Sequence, residues 1–264
     1  EDGSCFRAYR FVDNSKAYDT VDSAEVFGKS GKAFGRFQKY LSDFPAESLS
    51  EIIKNFHNTI WRYENEFIPA VQADKADRAV NCGEEIKFVM HRREDCKKLV
   101  ELIEKGELPL RVTHNDTKLN NVLFDSDSDD AICVIDLDTV MPGLALYDFG
   151  DSIRFGANSC AEDDDNYDKV ELMLDYFEAY AKGFLSEAGD ALNQCEIDNL
   201  AFSAKLMTFE CGMRFLTDYL NGDIYFKTAY PEHNLVRAKN QFALVADMER
   251  KMEQMQQIIK NITE

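Results

Sequence analysis

The chain has 264 residues, 45% of them hydrophobic, enough to bury a sizeable core as one large domain or as one domain plus a fragment. With 49 acidic against 30 basic residues the formal net charge is −19, a field that repels nucleic acid and acidic membranes, so neither is expected as a partner. No apolar run approaches the roughly 18 residues that a membrane span needs, and no charged-then-apolar leader stands at the start.

Residues 5–12, Cys5 to Val12, form a β-prone, partly alternating run, preceded by the turn signal Asp2-Gly3. The strand that should come before that turn is missing, so the chain is expected to open in the middle of a sheet. From Ser23 the pattern turns helical: Phe27, Phe34, Phe37 and Leu41 recur at helical spacing until Pro45. Further helices are predicted over 48–57, over 59–81 with a break or kink at Pro69, and over 84–105 with a stop near Gly106. Then β-prone runs appear at 110–113, 122–124 and 131–135, the last two joined by a polar hairpin loop over 125–130. After Gly156 helices are predicted over 167–187, 196–220 and 231–262, the last with Met248, Met252 and Met255 as core filler.

Cys5, Cys82, Cys96, Cys133, Cys160, Cys195 and Cys211 are odd in number and have no CxxC pair. That argues against a disulfide framework and against zinc, and fits free thiols in a reducing cytoplasm, the expected location. The acidity of the chain also means that any phosphate ligand must be held locally, by metal or by a few placed cations.

The informative stretch is Thr113-His114-Asn115-Asp116-Thr117-Lys118-Leu119-Asn120-Asn121, which reads H-x-D-x-x-x-x-N and runs into the apolar Val122-Leu123-Phe124. Past the hairpin comes Val134-Ile135-Asp136-Leu137-Asp138. The H-x-D-x-x-x-x-N spacing alone is only suggestive; the apolar strands and the aspartate pair after a hairpin make it specific. In phosphoryl transfer a carboxylate must orient the acceptor hydroxyl and take its proton, the role expected of Asp116. The triphosphate needs a hard cation such as Mg2+, which prefers oxygen ligands; Asn121 and Asp136, with Asp138 beside them, supply amide and carboxylate oxygens. His114 would hold the loop by hydrogen bonds, and Lys118 lies where a cation can reach the γ-phosphate.

At these residues the sequence resembles the aminoglycoside phosphotransferase and choline kinase superfamily. The segments 119–125, 134–143 and 148–154, with Arg7-Ala8-Tyr9-Arg10-Phe11 and Ala33-Phe34-Gly35-Arg36-Phe37 upstream, make it most similar to the N-acetylhexosamine 1-kinases. The likeness runs from the first strand to about Phe226. It implies a protein-kinase-like α+β fold with ATP and Mg2+ as cofactors. The acceptor it implies is GlcNAc or GalNAc, and the product the sugar 1-phosphate. It also implies that Arg214 and Tyr225 line the sugar pocket, where an Arg fork and an aromatic hydroxyl suit sugar hydroxyls and an acetamide carbonyl.

One departure from that pattern concerns the small lobe. No phosphate-covering loop and no strand lysine are found. Gly28, Gly31 and Gly35 lie in a helical pattern, and Lys29 and Lys32 read as solvated. The expectation is therefore that residues 1–20 are the last strand of the small lobe and the hinge, with adenine near residues 11–13. Residues 21–264 would form the mainly helical large lobe with catalytic β-hairpins. The small lobe would be largely missing and the chain alone weakly active. Two rivals stand beside the sugar kinase. One acts on another alcohol (an aminoglycoside, choline or homoserine), for which the acidic run 162–165 could serve a cation but reads better as a solvated loop. The other is a kinase-like binding module without catalysis.

Overall fold

The computed structural model describes residue 6 and residues 8–264. In chain order, β1 (Ser15–Lys16) precedes α1 (Ala24–Tyr40) and α2 (Thr59–Arg62), which passes through a π-helical turn, Tyr63–Phe67, into α3 (Ile68–Ala73). Next come α4 (Gly83–Met90), α5 (Arg93–Glu104), β2 (Arg111–Thr113), β3 (Val122–Asp125), β4 (Ala131–Val134) and β5 (Met141–Gly143). Four helices follow: α6 (Ala145–Gly156), α7 (Leu174–Ala188), α8 (Gln194–Asn221) and α9 (His233–Thr263). This is the α+β, mainly helical large-lobe architecture that was expected, with β1-β3-β4 as one antiparallel sheet and β2-β5 as a second. No helix among the described residues is long and apolar enough to cross a membrane.

The helices assemble around one apolar core. In α1, the Ser23 hydroxyl accepts from the Val26 N–H and Glu25 stands in the first turn, both favourable at a helix start. Phe27 and Phe34 turn inward, and α1 lies close along α7 because its glycines lack side chains. A Cβ on Gly31 would sit 2.5 Å from the Tyr180 carbonyl oxygen, so these glycines serve helix packing rather than phosphate binding. The core extends through Phe149, Phe177, Tyr180 and Phe184 to Met248 and Met255, all fully buried.

The two sheets carry the motif to one end of this core. In the first, Val122 pairs with Val134 and Leu123 with Cys133, followed by a register shift. Ser15 and Lys16 of β1 pair with Asp125 and Phe124. Lys29 is only partly solvated: its Nζ donates to the Ser128 carbonyl of the β3–β4 loop at 3.1 Å. In the second sheet Thr113 pairs with Met141, so the motif loop leaves β2 next to the start of β5.

Several expected elements differ. Of the predicted strand over 5–12, residues 5 and 7 lie outside the described residues, as does the turn signal at Asp2-Gly3. Residues 8–12 form no strand; the Val12 carbonyl accepts the Ser15 hydroxyl at 2.7 Å, and Tyr9 and Phe11 are exposed. The helix expected over 48–57 is absent. Asn55 is left-handed (φ 56°), and its N–H is taken by the Glu51 carboxylate at 2.8 Å, a local side-chain bond that competes with a helical ladder. The kink at Pro69 takes the form of the π-helical turn just before it, and the helix then ends at left-handed Asp74. The helix expected over 84–105 is two. Arg92 lies 3.4 Å over the Phe88 ring and binds the Phe88 carbonyl with its own guanidinium at 3.0 Å, diverting that carbonyl from the helix. The helix expected from Tyr167 begins only at Leu174, because Leu172 bridges to Asn158 and gives its N–H to Asp247 at 2.7 Å.

Candidate active site

The loop from His114 to Asn121 is held from behind by a buried carboxylate. Asp148, on α6 and 0% exposed, accepts the backbone N–H of His114 at 2.9 Å, that of Asn115 at 2.8 Å and the Gln38 amide at 2.9 Å. Burial pushes the Asp148 carboxyl up, and these three N–H donors work against it. Asn115 takes the left-handed conformation (φ 65°), which Asn tolerates, and its side-chain amide donates to the carbonyls of Thr113 and Thr139. The Thr117 hydroxyl donates to the Asp148 carbonyl at 2.7 Å, and Ser152 in turn donates to the Thr117 carbonyl at 2.9 Å. Each turn of the loop is thus tied to α6 or to its own base.

His114 is fully buried and edge-on to Phe34 and Phe37. Its Nδ1 accepts the Asp116 N–H at 3.3 Å, which leaves the proton on Nε2, donated to the Ile135 carbonyl at 2.8 Å. One neutral imidazole therefore links the loop to the residue before Asp136. Ile135 also donates its own N–H to the Asn121 carbonyl at 2.9 Å. By these two bonds the chain brings Asp116, Asn121 and Asp136 to one end of the paired strands.

Asp116 itself lies between two donors. Lys118 Nζ is 2.9 Å from Oδ1, and Asn121 Nδ2 donates to Oδ2 at 3.1 Å and to the Asp116 carbonyl at 2.8 Å. Burial lowers the Lys118 pKa, but the Asp116 carboxylate outweighs it and the net direction is upward, so Lys118 is a cation at neutral pH. The amide nitrogen of Asn121 is engaged twice, while its oxygen makes no hydrogen bond among the described residues. Asp136 is exposed and left-handed (φ 60°) at the head of the short 3-10 turn Leu137–Thr139, a strained conformation of the kind that concentrates at functional sites. Its carboxylate has no hydrogen bond or ion pair among the described residues. Asp138 stands exposed on that same turn.

Arg214 and Tyr225 share a cavity of about 490 Å3 whose lining includes none of residues 114–121; Ile53 lines both this cavity and a second one that Asn115 lines. The Arg214 guanidinium lies 5.2 Å from the Phe56 ring centroid, 5.8 Å from that of Tyr225 and 5.5 Å from that of Phe226, and pairs with no carboxylate among the described residues. No hydrogen bond or ring contact joins either residue to 114–121. Lys54, Arg62 and Lys75 line the same cavity, against Glu66 and Asp218. Asp218 is already committed to the N–H groups of Ile224, Tyr225 and Phe226.

Sequence reasoning passed over Asp148, although its segment carried part of the resemblance, and Asp151. The latter accepts the Thr117 N–H at 3.3 Å and pairs with buried Arg154 at 2.9 Å. Burial raises the Asp151 carboxyl, but Arg154 outweighs it and holds it below the usual range. The run 162–165 is not merely solvated, since Glu162 pairs with Arg154 at 2.6 Å.

Comparison with known proteins bears on the family and the fold. The family model of the phosphotransferase enzyme family, APH, matches residues 1–183. Among solved structures, Plasmodium vivax ethanolamine kinase superposes with a TM-score of 0.52 at 17% sequence identity, covering 88% of this chain. At that identity the likeness is one of fold, and this chain spans 64% of the length of that kinase.

Proposed function

The chain belongs to the phosphotransferase enzyme family, and on that premise we propose that it moves the γ-phosphoryl group of ATP to a hydroxyl of a small alcohol. The carrying observation is Asp116, held between Lys118 at 2.9 Å and Asn121 at 3.1 Å on a loop braced by Asp148. Asp116 accepts a hydrogen bond from the acceptor hydroxyl, aims its oxygen at the γ-phosphorus and takes the proton as the new O–P bond forms and the bridging P–O bond to ADP breaks. Lys118 is freed from Asp116 as that proton arrives and offsets charge on the transferring group. His114 and Asp148 keep the loop in place.

The residues fit Mg2+. The amide oxygen of Asn121 and the carboxylate of Asp136, neither engaged among the described residues, are hard oxygen donors, and the Ile135 N–H bonded to the Asn121 carbonyl supports reading them, with Asp138, as one ligand set. A divalent cation there would neutralise charge on the phosphate oxygens.

For the acceptor we favour an N-acetylhexosamine, phosphorylated at its anomeric hydroxyl. The support is the Arg214–Tyr225 cavity, whose lining has more cations than carboxylates and so disfavours a cationic alcohol. The test is ATP-dependent phosphorylation of GlcNAc, GalNAc, glucose, kanamycin, choline and ethanolamine. Turnover confined to the N-acetyl sugars supports the full reading. Turnover of a cationic alcohol keeps the chemistry and removes the sugar. A folded protein inert on all of them favours a binding module.

A further inference from the structure

Asp116 stands in a run of four peptide N–H groups that side chains hold one after another. Asp148 accepts those of His114 and Asn115, and His114 Nδ1 accepts that of Asp116 itself. The fourth, on Thr117, goes to Asp151 Oδ2 at 3.3 Å. Thr117 is the residue between Asp116 and Lys118. Asp151 therefore fixes the peptide on the far side of the base, as Asp148 fixes those on the near side.

Asp151 reaches that peptide from a row of charges. Its side chain is 14% exposed, and its Oδ1 accepts Arg154 Nε at 2.9 Å. Arg154, 6% exposed and one turn further along α6, gives Nη1 to Glu162 Oε1 at 2.6 Å. Glu162 lies in the loop after α6, and that loop is anchored on α9: the Asn240 amide donates to the carbonyls of Ala161 and Asp164 at 3.0 and 3.2 Å. A buried guanidinium between two carboxylates is a poor means to stability alone. The lost hydration of the charges offsets much of their attraction, and an apolar replacement of similar volume is often as stable. What such a row does supply is direction. With Oδ1 held by Arg154, the Asp151 carboxylate has one orientation and Oδ2 is left for the Thr117 N–H. The pairing also keeps Asp151 ionised, because burial raises its carboxyl and Arg154 outweighs burial.

We propose that Asp151 and Arg154 are positioning residues for phosphoryl transfer, which by holding the Thr117 peptide set the direction of the Asp116 carboxylate. The inference rests on the phosphotransferase reading and adds to it two residues that act through the loop. The experiment is a double-mutant cycle. Asp151→Asn and Asp116→Asn are made singly and together. The single-turnover rate from ATP to the best acceptor of the panel is measured for each, with ATP affinity and thermal melting alongside. A small misplacement of the base is costly to the rate, so Asp151→Asn should slow transfer about tenfold in the wild-type background, with ATP affinity within about twofold. With Asp116 already Asn there is no base left to aim, and the same change should alter the rate by less than about twofold. A role in stability alone slows both backgrounds by the same factor. That result, or a wild-type rate unchanged by Asp151→Asn, overturns the inference. Should Asp151→Asn not fold, Arg154→Lys, which keeps a cation for Asp151 but loses the fork to Glu162, is carried through the same cycle under the same criterion. Should the wild type transfer phosphate to nothing on the panel, the kinase reading fails and the inference with it, a result distinct from an active enzyme with equal losses in both backgrounds.

Discussion

Each residue of the motif has a distinct mechanical duty, and mutations should separate them. Asp148→Asn leaves the side chain's size but turns an amide N–H toward the backbone donors of His114 and Asn115. Loss of about 2 kcal/mol of stability is expected from the unpaired donor, with kcat falling while KM for ATP moves little; equilibrium denaturation and steady-state kinetics check both. The motif itself was readable because its chemistry is contiguous, nine residues from Thr113 to Asn121 and an aspartate past one hairpin. Asp148 and Asp151 were not. Both act on the loop from 34 residues away, and nothing in the local sequence around either advertises the loop.

Among the elements, α1 was legible because its apolar residues recur on one face, and α8 and α9 because each is a long stretch of helix-compatible residues without an internal Pro. By contrast α6 was passed over although Asp148, Asp151 and Arg154 mark a helical period on it; it is 12 residues long, carries Gly150 inside and follows β5 after the single residue Leu144. β5 is three residues long with Pro142 in the middle, below what periodicity can detect. The contact of α1 with α7 makes a firm prediction: Gly31→Ala places a methyl against the Tyr180 carbonyl and should cost roughly 1–3 kcal/mol, read as a lower Tm. The tie between α2 and α8, in which Glu210 accepts the Thr59 hydroxyl, predicts a pH dependence. Burial raises the Glu210 carboxyl, but His57, 2.8 Å away, and Arg62 outweigh it, so its pKa is lowered in the folded state. Its stabilisation is fully present above the unfolded carboxyl value of about 4.3 and is lost as pH falls through the lower folded value. Acid denaturation of Glu210→Gln should therefore show a shallower loss below about pH 4.3 than the wild type.

For the whole molecule, the net charge of −19 acts on every encounter with a nucleotide polyanion. Added monovalent salt at fixed free Mg2+ should raise kcat/KM for ATP by screening that field; a fall would mean that local cations dominate the approach. The general class, helical with small sheets, followed from the alternation of β-prone and helical stretches. The mutual placement of the Arg214 and Asn115 cavities did not, because it depends on how α2, α3 and α8 pack.

The most direct test is the single-turnover rate of phosphoryl transfer from ATP to the best acceptor of the panel, in wild type and Asp116→Asn, with ATP affinity measured alongside. The account predicts a slowing of about 10²–10⁴-fold with ATP affinity unchanged. A rate within a few-fold of wild type would show that Asp116 is not the base.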